Sequence, residues 1–79
     1  MPRYRLDYGD SFDFYAQTAG EVVPILQEHH IVGFGEDERS FCRRIALEMC
    51  EWNSGDYYFH SRDALAESMF RNGLLEVID

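Results

Sequence analysis

Hydrophobic and polar positions alternate first at period two. Arg3, Tyr4, Arg5, Leu6, Asp7 and Tyr8 put Tyr4, Leu6 and Tyr8 on one face and charge on the other, the pattern of a half-buried strand. Gly9-Asp10-Ser11 has turn chemistry, and Phe12 to Ala16 reads as the returning strand of a hairpin. Arg3 and Arg5 then face Asp13 across the pair. The period changes after Thr18. Thr18 and Glu21 have capping-box spacing, and Val22, Val23, Leu26 and His30 form one helical stripe. Pro24 has no backbone donor, so this helix either kinks there or begins near it. Ile31-Val32-Gly33-Phe34-Gly35 ends the segment at two glycines.

Glu36 to Trp52 carries the clearest helical signal. Phe41, Cys42, Ile45, Met49 and Trp52 recur on one side, while Leu47 and Cys50 fall roughly opposite at about 100° per residue. Apolar residues around most of the circumference predict a central helix sandwiched between neighbours. Asp37, Ser40, Arg44, Glu48 and Glu51 form its polar strip. After the loop Asn53-Ser54-Gly55-Asp56, the β-rich run Tyr57-Tyr58-Phe59-His60 predicts a third strand. Ser61 caps a helix through about Asn72, with Leu65, Ala66, Met69 and Phe70 inward, and Asn72-Gly73 is a stop signal. Residues 74–78 read as a short fourth strand or an extended tail on the core. The order β-β-α-α-β-α, with an optional last β, predicts one α+β domain over residues 1–79. It has two layers: a small antiparallel sheet of three or four strands covered by three helices.

Charge changes the picture. Fifteen carboxylates surround seven arginines, lysine is absent, and the net charge is −8 on 79 residues. A folded body with that field repels nucleic acid and attracts proteins that bind it. Six Phe, five Tyr and one Trp separate it from acidic disordered tails. No apolar run follows Met1-Pro2-Arg3-Tyr4-Arg5, and no stretch reaches the roughly 18 apolar residues of a membrane span. The expected location is the cytoplasm. Cys42 and Cys50, eight residues apart on one helix, are about 12 Å apart along its axis, too far for a disulfide.

Candidate chemistry is sparse. His29, His30 and His60 lack the paired spacing of zinc ligands, so no metal or cofactor is expected. Cys42 beside Arg43 and Arg44 is the one local match to an activated thiolate, and the negative surroundings oppose ionisation. Gly33-Phe34-Gly35 lacks the remainder of a phosphate loop. Tyr57-Tyr58-Phe59 has the aromatic character of a base-stacking platform, but Asp56 and Asp63 bracket it and assign it to the core. The expectation is therefore not an enzyme.

The acids remain. Glu36-Asp37-Glu38 suits a helix N-terminus, where negative charge is favourable. Glu67 and Arg71 form an i,i+4 pair. An ordinary charged surface explains much of this. The distribution adds more: Glu21 and Glu28 share the outer face of the first helix, Asp37, Glu48 and Glu51 that of the second, and Asp63 and Glu67 that of the third. In one helical layer these seven carboxylates present charge as the phosphates of a duplex do.

Size, charge and element order along the whole chain resemble those of the small acidic phage-encoded anti-CRISPR proteins, inhibitors of type I systems including type I-C. That group shares no diagnostic motif, so no residue role is carried over. The resemblance implies a DNA mimic, monomeric and in the bacterial host cytosol. Its partner is a basic nucleic-acid-binding subunit of a CRISPR effector complex, and it contacts neither nucleic acid nor membrane. The competing expectation is an acidic interaction or antitoxin-like domain that docks through apolar Leu47, Cys50, Leu74 and Leu75.

Overall fold

The computed structural model describes residues 1–29 and 36–78. Its first element is the expected hairpin, β1 (Arg3–Tyr8) and β2 (Asp10–Tyr15). The pairing is antiparallel, with Tyr4 opposite Phe14 and Leu6 opposite Phe12. Gly9 alone joins the strands, with Tyr8 facing Asp10 across it. The turn is tighter than the composition suggested because Gly9 adopts a φ of 78°, a backbone conformation open mainly to glycine.

A 3₁₀ turn, Ala19–Glu21, leads into α1 (Val22–His29). Pro24 falls in the first turn of α1, where its missing N–H breaks no helical bond. The expected stop at residues 31–35 and the place of His30 in the stripe lie outside the described residues. α2 runs Glu38–Asn53, capped by Asp37, whose carboxylate accepts the Ser40 N–H at 2.7 Å. α3 runs Arg62–Arg71, capped by Ser61, whose hydroxyl accepts the Ala64 N–H at 3.1 Å. It ends in a Schellman motif. Gly73 N–H reaches Phe70 O at 3.1 Å, Leu74 N–H reaches Met69 O at 2.8 Å, and Gly73 has a φ of 81°.

The third strand, β3, is Leu75–Val77, paired antiparallel to β1 with Leu6 opposite Leu75. Sheet order is β2-β1-β3. The fold is thus the α+β arrangement of a small antiparallel sheet and three helices. The third strand is the terminal one; Tyr57–His60 forms no strand. The bonds of that segment go elsewhere. Tyr58 N–H donates to the Ser68 hydroxyl at 3.0 Å, and Asp56 O accepts from Asn72 Nδ2 at 3.0 Å, so side chains of α3 and its cap hold the loop. Tyr57 is buried, but Tyr58 and Phe59 are exposed.

One core unites the layers. Leu6, Val22, Val23, Ile45, Met49, Leu65 and Met69 are fully enclosed, and Tyr4 stacks on Phe14 at 5.4 Å between ring centroids. The sandwiched central helix is not observed. α2 buries Phe41, Cys42, Ile45, Ala46 and Met49 on one face only. Leu47 is 57 % and Trp52 56 % exposed, and Cys50 is exposed as well. Trp52 lies three residues past Met49, the last buried residue of α2, and meets Tyr8 in a T-shaped contact, ring to ring at 5.5 Å. No helix among the described residues is long and apolar enough to cross a membrane.

Candidate interaction surface

The seven carboxylates singled out from the sequence have three different fates. Glu21 and Asp37 serve the backbone. Glu21 accepts the N–H groups of Gln17 and Thr18 at 2.7 and 3.1 Å, and Asp37 caps α2. The Ser40 bonds hold the Asp37 carboxyl below the usual carboxylate range, with Arg39 contributing least. Glu48 and Glu67 are neutralised. Arg44 reaches Glu48 at 3.4 Å while holding Glu36 at 3.0 Å, and Arg71 holds Glu67 at 2.9 Å. Glu28, Glu51 and Asp63 have no hydrogen-bond or ion-pair partner among the described residues. Asp63 does shape local packing: a Cβ at buried Gly20 would collide with its carboxylate, so the lack of a side chain at Gly20 lets the 3₁₀ turn sit this close to the start of α3.

Two groupings arise that the sequence pattern did not delineate. The first is at the hairpin-turn end of the molecule. Glu48, Glu51 and Trp52 are i, i+3 and i+4 neighbours on α2. Trp52 contacts Tyr8, and Asp10 faces Tyr8 across Gly9. Burial pushes the Tyr8 phenol above its ordinary value, the Glu48 charge adds to this and Arg44 opposes it. An exposed tryptophan thus lies at the end of the molecule that also carries Glu48, Glu51 and Asp10.

The second grouping covers the outer face of the sheet, where Asp7, Asp13 and Glu76 surround Arg5. Arg5 Nε donates to Asp13 at 2.8 Å, and Glu76 is its register partner on β3. The Arg5 guanidinium is raised above its usual value chiefly by the Asp13 hydrogen bond, and the Asp13 carboxyl is correspondingly lowered. The Ser11 hydroxyl donates to Asp7. Period two already placed Arg5, Asp7 and Asp13 together. Glu76 was invisible because a three-residue strand gives too short a pattern to assign a partner.

Cys42 is buried, and burial together with Glu38 pushes its thiol up, so it is a neutral side chain and not a thiolate. Among the described residues no group of three His, Cys, Asp or Glu side chains is placed to hold a metal ion. Of the apolar contact residues considered, Leu47 and Cys50 are exposed, whereas Leu74 and Leu75 are core. Compared with known proteins, the chain matches no family model, no curated protein and no solved structure.

Proposed function

We propose that this protein is a non-enzymatic acidic interaction domain that occupies an arginine- and lysine-lined surface in place of DNA. Glu51 carries the reading. It lies in the last turn of α2, where a carboxylate opposes the helix dipole, and it has no arginine partner among the described residues. Helix stability explains Asp37 and Glu38 at the other end; it does not explain Glu51. Beside it, exposed Trp52 supplies the kind of aromatic anchor that carries binding energy at interfaces. The resemblance in size and charge implies, as that surface, a basic subunit of a type I CRISPR surveillance complex, inhibited by exclusion of target DNA.

Surface plasmon resonance against such a purified complex tests this, with competing duplex DNA. The expected result is mutual exclusion with DNA and steep weakening between about 50 and 200 mM salt. Glu28→Lys, Glu51→Lys and Asp63→Lys together should abolish binding. Asp37 is unsuitable for this set because its loss uncaps α2. Simultaneous binding of protein and DNA overturns the proposal.

A second reading rests on exposed Leu47, Cys50 and Trp52. It is an acidic adaptor or antitoxin-like domain with an apolar contact. Binding that ignores salt but is lost in Leu47→Gln would select it.

A further inference from the structure

The arginines are not shared evenly among the acids. Arg5, Arg44, Arg62 and Arg71 each hold a carboxylate. Arg39 and Arg43 hold none among the described residues, although acids outnumber arginines fifteen to seven. They are i,i+4 neighbours on α2, an arrangement in which like charges repel. Both line one groove of about 380 Å³ with Ser40, Phe59 and His60. In the adjoining hollow the acid is Glu38, already held by two bonds from Arg62 at 3.0 and 2.5 Å, so it does not neutralise the pair.

The remaining wall is aromatic. Phe59 is 41 % exposed because Ser68 anchors the loop one residue before it, at Tyr58 N–H. Two guanidinium forks next to an exposed ring match a ligand with a phosphate at one end and a planar ring at the other. The groove volume lies at the small end of ligand sites, which suits a small ligand. The overall field sets the upper limit: a −8 body repels a polyanion far more than a ligand with two charges.

We infer that the groove between the N-terminal half of α2 and the Tyr57–Ser61 loop binds a single nucleoside monophosphate unit. Arg39 and Arg43 take the phosphate, Phe59 stacks on the base, and the Ser40 hydroxyl and His60 ring stand at the rim as further hydrogen-bonding groups. The same unit occurs free and at the 5′ end of a DNA strand; the predicted occupant is the free nucleotide. The site is on a different part of α2 from Glu51 and Trp52, so it stands or falls independently of the acidic-surface reading.

Amide-resolved NMR titration of the full chain with AMP, adenosine, inorganic phosphate and a 5′-phosphorylated ten-nucleotide single strand tests the assignment. AMP should shift residues 39–43 and 58–60 saturably. Adenosine and phosphate should each bind more weakly by about fivefold or more. Arg39→Gln with Arg43→Gln should weaken AMP by about tenfold or more. Phe59→Ala should weaken AMP about fivefold and leave phosphate unchanged. Arg71→Gln, outside the groove, should change nothing, and thermal melts of each variant verify folding. Absence of shifts at millimolar AMP, or shifts unchanged in the double arginine variant, overturns the site. Tighter binding of the ten-nucleotide strand than of AMP overturns its assignment to a free nucleotide.

Discussion

The two halves of α2 are built alike inside and oppositely outside. Phe41 and Ile45 bury the first half as Met49 buries the second. On the surface, among the described residues, the first half shows Arg39 and Arg43 without ion-paired carboxylates, while the second shows Glu51 without an arginine and Trp52 exposed. The ordinary preference is the reverse, acids at the N-terminus and bases at the C-terminus. Asp37 and Glu38 satisfy it at the start; no basic residue occupies the last turn. A charge order that works against the helix is a surface shaped by something other than helix stability. The single helix therefore separates a cationic, ring-bearing groove from an anionic, tryptophan-bearing end.

The largest effect tests whether the halves are equal inside. Phe41→Ala and Met49→Ala should each destabilise the fold by about 2–5 kcal/mol in urea unfolding. A near-neutral result at either position would mean that half is not packed on the shared core. Next is the loop that separates the groove from α3. Ser68 is 1 % exposed, accepts from Tyr58 N–H and donates to Ala64 O at 2.9 Å. Ser68→Ala should lose about 1–2 kcal/mol by the same assay. Hydrogen exchange at the Tyr58 amide should accelerate if that bond holds the loop.

Glu51→Lys gives a smaller effect with a diagnostic sign. It should raise Tm by about 3 °C, because a cation suits the last turn, while weakening partner binding. Stability and binding falling together would remove the case that Glu51 serves a partner. The smallest effect is at the other end. The Asp37 carboxyl is held below its ordinary value by the Ser40 bonds. Its contribution is therefore fully present above about pH 4, the unfolded value, and is lost as pH falls through the lowered one. The Tm difference between the wild type and Asp37→Asn should be constant from about pH 5 to 7, at about 1–2 °C, and shrink below about pH 4. A difference that grows on acidification would show that Asp37 is not acting as a charged cap.

Much of this was legible residue by residue. Tyr4, Leu6 and Phe14 announced the hairpin, and Ser61 and Gly73 marked the ends of α3 correctly because caps act within four residues of themselves, whereas Asp37, read as part of the polar strip of a helix starting at Glu36, is the cap of a helix that starts at Glu38. Tyr57–His60 misled. Its β-propensity was real, but propensity does not say which donor takes a backbone amide, and here Ser68 and Asn72 do. Trp52 misled in the same way. Helical periodicity gave the face but not how far along α2 its neighbours extend.

The sequence by itself determined the class of fold, the β1–β2 hairpin, both ends of α3 and the strong negative charge, since all follow from spacing within a few residues or from a simple sum. Only the tertiary structure decided that β1 takes β3 as its second neighbour, that Arg39 and Arg43 meet Phe59, and which carboxylates keep their charge unanswered. Those outcomes depend on which groups from distant segments come within a few ångströms of each other. Hydrogen bonds and ion pairs act only over that distance, and no local pattern encodes it.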